Sequence, residues 1–404
     1  MISILRNIKQ KLIRFRRGAI VQKLYRVVFL LLGRLPKKSN LVVFESFHGK
    51  QYSDSPRAIY EYMKENKMPY VMYWMADRRH INAFDKLEDV QYVKRLSPKW
   101  IFLMARAKYW ISNARLPLWL PKPKDTIYVQ TWHGTPLKRL GADIEEVHMP
   151  GTNTEKYKEN FLFEASKWDY LVSPNAYSTK IFKRAFGFNK KVIESGYPRN
   201  DFLINNNDME TIARLKKKCE LPLDKKVILY APTWRDNQFY AKGSYKFDLQ
   251  MDLAQMKEHL GDEYVIALRL HYLVAENLDL TGYEDFVFDF SSHEDIRELY
   301  LIGDLLITDY SSVFFDYANL KRPMIFFVYD IEDYRDKLRG FYFDFEQKAP
   351  GPLVKTTDEI IHEIRKVNEN GFTPSENIEE FYNRFCYLED GHASARVVGN
   401  IFKK

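Results

Sequence analysis

The chain has 404 residues, 46% of them hydrophobic, 15% aromatic and 29% charged, which is enough apolar material for a sizeable core and excludes a disordered or low-complexity class. Its two cysteines, Cys219 and Cys386, lie far apart without CxxC or Cys/His spacing, which argues against a disulfide framework or a cysteine zinc site and fits a reducing compartment. The net charge of +8 belongs to the start of the chain: eleven basic residues from Arg6 to Lys38 precede the first acidic one, Glu45, and the remainder is close to neutral.

Within residues 1–40, Leu5, Ile8, Leu12, Ile20, Leu24, Val27, Val28 and Leu31 recur at three- and four-residue steps. That spacing predicts an amphipathic helical segment whose remaining faces are basic. Such a segment can bury its apolar face at the headgroup boundary while each cation gains about 1 kcal/mol from anionic lipid. The expectation is a peripheral, monotopic contact with the anionic cytoplasmic face of the cell membrane; a helix packed on the protein's own domain is the structural alternative. The longest apolar run, Val27 to Leu32, is too short to cross a bilayer. Lys23, Tyr25 and Arg26 interrupt any signal-peptide core. No nucleic-acid-binding module accompanies the basic residues, so no nucleic-acid partner is expected.

From Leu41 onward, short apolar runs predict buried strands at Leu41–Phe44, Tyr70–Trp74, Tyr109–Ser112, Ile127–Gln130, Tyr170–Ser173 and Lys191–Glu194. Helical patterns such as Pro56–Lys64 and Ser178–Phe186 separate several of them. After the polar stretch Asn205–Asp208 and the charged helical segment Met209–Cys219, a second set follows at Lys226–Tyr230, Tyr264–Leu268, Phe286–Phe288, Leu305–Thr308 and Pro323–Phe327. Strands alternating with helices predict parallel, doubly wound α/β sheets. The expected architecture is two Rossmann-like domains facing a cleft, 41–205 and 206–404, behind the basic segment 1–40. In such sheets ligands sit beyond the carboxyl ends of the strands, which is where the polar motifs fall.

The first motif is Gln130-Thr-Trp-His-Gly-Thr-Pro-Leu-Lys-Arg-Leu-Gly141, expected to leave a strand and enter a helix whose first turn is set by Pro136. His133 at that corner can take a proton from an attacking hydroxyl, since an imidazole titrates near working pH; Gly134 permits close backbone approach, and Thr135 follows it. A satisfied structural histidine beside Trp132 is the alternative the residues alone leave open. Ser195-Gly-Tyr-Pro-Arg-Asn-Asp201 is a tight turn whose Arg199 and Asp201 either face the cleft or pair to brace the turn. In Tyr230-Ala-Pro-Thr-Trp-Arg-Asp236, Thr233 and Arg235 offer a hydroxyl donor and a forked cation to phosphate, unless Asp236 merely stabilises a surface turn. Alternation along Leu268-Arg-Leu-His-Tyr272 places Arg269 and His271 on one side. Leu305-Leu-Ile-Thr-Asp-Tyr-Ser-Ser-Val313 runs a buried strand into Asp309, with Ser311 and Ser312 at a helix start, where they cap the helix, touch an anion, or do both. No Asp-x-Asp or other metal constellation is evident, so neither a metal nor another cofactor is expected.

These segments, with Lys321–Phe327, Tyr329-Asp330, Arg339–Asp344 and Pro350–Pro352, occur in an order that resembles the CDP-glycerol glycerophosphotransferases of teichoic acid synthesis and their CDP-ribitol relatives. The likeness extends from about Glu45 to about Asp390. It implies a GT-B-like fold and transfer of glycerol phosphate, or alternatively ribitol phosphate, from the CDP-linked donor to an undecaprenyl-diphosphate-linked glycan, with release of CMP. It also implies that His133 is the base and that His271 contacts the donor phosphates and stabilises the leaving group. Arg269, Ser311, Ser312, Asp309, Thr233 and Arg235 would then hold the donor, and Arg339 would be a further cleft candidate. The chain's length favours a primase or short-chain enzyme. A nucleotide-sugar glycosyltransferase of capsule or cell-wall synthesis and a non-catalytic nucleotide-binding scaffold are the rival expectations.

Overall fold

The computed structural model describes residues 18–147, 152–233, 239–241, 244–245, 249–270, 279–335 and 340–402. Seven strands make the first sheet: β1 Lys38–Glu45, β2 Val71–Ala76, β3 Tyr92–Lys94, β4 Ala107–Ser112, β5 Ile127–Gln130, β6 Tyr170–Ser173 and β7 Lys191–Glu194, in the order β3-β2-β1-β4-β5-β6-β7. A further set follows: β8 Lys226–Ala231, a short hairpin of β9 Phe239–Ala241 and β10 Ser244–Tyr245, then β11 Tyr264–Leu268, β12 Val287–Asp289, β13 Leu305–Thr308, β14 Met324–Phe327 and β15 Leu353–Val354. Apart from the hairpin, these form a six-stranded sheet in the order β12-β11-β8-β13-β14-β15. Each recorded pairing in the two large sheets is parallel, and each sheet winds outward in both directions from its first strand. The result is the α/β architecture of two Rossmann-like sheets that the strand pattern implies.

Both faces of the second sheet are dry, which is why its strands read as continuous apolar runs. Val227, Leu229 and Ala231 pack in one buried cluster with Val265, Ala267 and Leu306. Their neighbours Ile228 and Tyr230 pack in another with Ile266, Leu268 and Ile307. This is the two-residue alternation of a pleated strand. Helix starts carry side-chain caps: Asn175 accepts the Ser178 N–H, Asp208 the Thr211 N–H, and Thr356 with Glu359 forms a reciprocal capping box.

Packing divides the chain into two units. One runs to Trp132 and includes Phe163–Leu171; the other holds His133–Leu162 and everything from Val172 onward. In the first unit, helix Ala19–Leu32 is anchored by Phe29, which is 1% exposed and packs edge-on to Trp110, and by Tyr25, whose hydroxyl donates to the Leu96 carbonyl at 3.1 Å. Ile20, Leu24, Val27 and Leu31 of the same helix stand exposed. The helix therefore packs on its own unit and still presents an apolar stripe, so the two expectations for it are not exclusive. The portion of the basic segment before residue 18 lies outside the described residues. Among the described residues, no helix is long and apolar enough to cross a membrane.

Candidate active site

The expected helix after Pro136 does not form. Residues 133–140 run as an extended loop, and the next regular element is the single 3-10 turn Gly141–Asp143. The chain leaves β5 through Trp132, whose φ of 54° puts a bulky residue in the left-handed region. Such a conformation costs on the order of 1–3 kcal/mol and persists only where its surroundings enforce it. Past this corner His133 is exposed, whereas Gly134 and Thr135 are buried. A methyl group built on Gly134 would lie 2.8 Å from the Ser312 hydroxyl oxygen, so only glycine lets the two chains approach this closely. The loop carrying His133 thus lies directly against the loop carrying Ser311 and Ser312.

That second loop leaves the six-stranded sheet where the strand order reverses, between β8 and β13. A ligand of an open α/β sheet sits in this crevice. Here the two strand ends are bonded together: the Asp309 carboxylate accepts the Thr233 N–H at 2.8 Å, and the Thr308 hydroxyl donates to the Ala231 carbonyl at 2.7 Å. Asp309 is buried and braces the turn. Ser312 sits at the N-cap of Val313–Tyr317 without a side-chain capping bond, so its hydroxyl is not spent on the helix and is the group that faces Gly134.

Other expected site residues have different surroundings. The Arg269 Nη1 donates to the carbonyls of Phe290, Ser291 and His293, the last two at 3.0 and 2.6 Å. Burial lowers the guanidinium's pKa, and the residue holds the turn after β12. Arg199 and Asp201, read as either facing the cleft or pairing to brace their turn, both brace the interior, each with a distant partner. Arg199 is 3% exposed and forms an ion pair with Asp316 at 2.9 Å, while Asp201 accepts the N–H groups of Ala393 and Ser394 at 2.8 and 2.7 Å, capping helix Ala393–Ile401. Asn200 between them donates to both Asp316 at 3.3 Å and Glu389 at 3.1 Å, so partners remote in sequence hold the whole turn inward. His271, Arg235 and Arg339 lie outside the described residues.

The bonds that hold the His133 loop leave almost no mark on the local residue pattern. Residues 137–139 pair antiparallel with 340–342: the Arg139 N–H donates to the Gly340 carbonyl at 3.1 Å and the Tyr342 N–H to the Leu137 carbonyl at 2.8 Å. The Tyr177 hydroxyl donates to the Pro136 carbonyl at 2.8 Å. So short a ladder has no periodicity to detect; the run of aromatics in Gly340-Phe-Tyr-Phe343 is its sole trace.

Two doubly wound parallel sheets, each opening polar loops at its carboxyl edge, define a GT-B-like α/β transferase. Comparison with known proteins narrows the class. The sequence pattern of the CDP-glycerol:poly(glycerophosphate) glycerophosphotransferases matches residues 27–403, and the chain belongs to that family of enzymes. It is 62% identical over 395 residues to the teichoic acid poly(glycerol phosphate) polymerase of Bacillus subtilis (strain 168), covering 98% of this chain and 53% of that protein. The chain thus spans about half the length of that relative. It is 58% identical over 392 residues to the protein of the same name from Bacillus spizizenii, covering 96% of this chain and 98% of the relative. A solved structure of the wall teichoic acid polymerase TagF, a variant with a histidine replaced by asparagine and soaked with CDPG, superposes with a TM-score of 0.87 at 44% identity, covering 98% and 97% of the two chains.

Proposed function

We propose that this protein transfers glycerol phosphate from CDP-glycerol to a lipid-linked glycan acceptor of wall teichoic acid synthesis and releases CMP. The observation that carries the reading is the approach of Gly134 to Ser312, which sets the exposed His133 beside the loop at the reversal point of the second sheet. In the reaction, an acceptor hydroxyl attacks the glycerol-bound phosphorus while His133 Nδ1 or Nε2 takes its proton; the bond from that phosphorus to the bridging oxygen breaks, and the electron pair leaves with CMP. In this proposal the Ser312 hydroxyl, with Ser311 beside it, donates to the donor's phosphate oxygens, a role supported by its approach to Gly134 and by the Thr233–Asp309 bond that braces the neighbouring strand ends. His271 and Arg235 complete the donor side in this proposal, while Arg269 holds the turn after β12.

Length was the ground for expecting a primase or short-chain enzyme. The B. spizizenii relative is matched over 98% of its own length and is named a polymerase, so length does not favour priming, and repeated addition is the reading we adopt. The exposed stripe Ile20, Leu24, Val27 and Leu31, flanked by the exposed cations Lys23, Arg26 and Arg34, is the proposed contact with the anionic membrane where the undecaprenyl acceptor resides.

The decisive experiment follows CMP release from CDP-glycerol and CDP-ribitol with and without a lipid-linked acceptor primed with glycerol phosphate, and resolves product length by mass. Acceptor-dependent release from CDP-glycerol is expected, with His133→Ala silent yet still binding the donor. Release from CDP-ribitol alone, or from neither, would overturn the reading.

A further inference from the structure

The extended loop 133–140 contains no helix to fix its course, so the place of His133 depends on what grips the loop from outside. That grip centres on one phenol. The Tyr342 hydroxyl accepts the Leu140 N–H at 3.2 Å and donates to Asp143 Oδ2 at 2.7 Å. Arg184 clamps the same carboxylate, with Nε at 3.1 and 3.0 Å from its two oxygens and Nη2 at 2.8 Å from Oδ2, and its guanidinium lies 5.7 Å from the centre of the Tyr342 ring. Although burial opposes it, the bonds from Arg184 and Tyr342 hold the Asp143 carboxyl below the usual carboxylate range. Burial and the bond to Asp143 raise the Tyr342 phenol, which therefore stays protonated and keeps donating.

The same short segment touches the donor loop. Phe341, next to Tyr342, has its ring 5.6 Å from that of Tyr310, which precedes Ser311 and stacks on Tyr334 at 4.2 Å. Lys138, the bridge partner of Phe341, places its ammonium 5.6 Å from the Tyr334 ring centre. Residues 340–342 therefore contact the His133 loop on one side and the root of Ser311 and Ser312 on the other.

We propose that Tyr342 is a positioning residue for transfer: with Asp143 and Arg184, its hydroxyl sets the main chain of residues 137–140, and through it the separation of His133 from the serines that meet the donor. The proposal rests on the reading of His133 as the base. Tyr342 touches no reacting atom and acts through the loop. A displacement of about 1 Å in a reacting group costs up to roughly a hundredfold in rate, which is the scale expected on its loss.

The test compares wild type with Tyr342→Phe, which removes one oxygen from the site, and with Asp143→Asn, which keeps the shape of its partner. Amide hydrogen exchange at residues 137–140, melting temperature, donor affinity, and kcat and KM for CDP-glycerol are measured on each. Expected for both variants are faster exchange at 137–140, kcat lower by ten- to a hundredfold, donor KM and affinity within twofold, and little change in melting temperature. Wild-type kcat despite faster exchange would overturn the proposal. So would a fall in kcat matched by an equal loss of donor affinity, because that is general disruption and not a displaced base. Exchange needs no substrate: a wild-type protein silent toward CDP-glycerol sinks the functional reading, whereas unchanged exchange in Tyr342→Phe sinks the grip itself.

Discussion

Glu389 should make this protein less stable as pH rises from 6 to 8, and the size of the effect follows from its surroundings. The side chain is 5% exposed and accepts the Tyr197 N–H at 2.9 Å and the Asn200 amide at 3.1 Å through one oxygen. Burial outweighs those two bonds, the charges of Asp316 and Asp201 add to it, and the carboxyl is pushed up to about 8 from an ordinary 4.5. The folded form thus holds a proton that the unfolded chain has already lost. A carboxyl raised in this way contributes stability that is fully present below about pH 4.5 and is lost as pH climbs through about 8. At 1.36 kcal/mol per unit, the loss between pH 6 and 8 comes to about 2 kcal/mol. Glu389→Gln keeps an oxygen to accept from Tyr197 and Asn200 and has no proton to lose. Urea unfolding of both proteins at pH 6, 7 and 8 should show the variant gaining about 2 kcal/mol on wild type across that range. A difference that stays constant with pH would refute the assignment of a protonated Glu389.

Three further outcomes are expected. Gly134→Ala, whose methyl group would meet Ser312, should cut transfer roughly tenfold or more, which steady-state CMP release checks. Arg199→Ala strands the buried Asp316 carboxylate and should destabilise the fold by about 3–5 kcal/mol, read from denaturant midpoints. Leu24→Glu with Val27→Glu should weaken sedimentation with vesicles containing anionic lipid by roughly tenfold or more while leaving the melting temperature unchanged, since both side chains are exposed.

The sheets were legible in the sequence because burial on both faces leaves an unbroken apolar run. Ile228 and Leu229 point to opposite sides of one strand, and neither side is wet. Short edge elements such as Tyr92–Lys94 and Leu353–Val354 carry too few residues for any period to emerge. Pro136 suggested a helix that is absent, because Pro is equally at home in an extended segment and the antiparallel partner that claims this loop lies some two hundred residues further on. Charged residues in a tight turn read as exposed by default, yet Arg199 is buried; nothing local reveals that Asp316 will meet it. Arg269 shows the same blindness, since the three carbonyls that occupy its Nη1 belong to a turn after another strand.

The cap that Asp201 places on helix Ala393–Ile401 has a consequence for the birth of the chain. The carboxylate and the amide of Ala393 are 192 residues apart. At a synthesis rate of roughly 5–20 residues per second, the ribosome needs about 10–40 s to supply the partner. Throughout that interval the turn 195–201 has emerged with Asp201 unmatched, and Arg199 itself waits 117 residues for Asp316. Closure of the larger unit is therefore a late event in biogenesis, because its buried apolar cluster also joins Leu203 to Phe381 and Phe385.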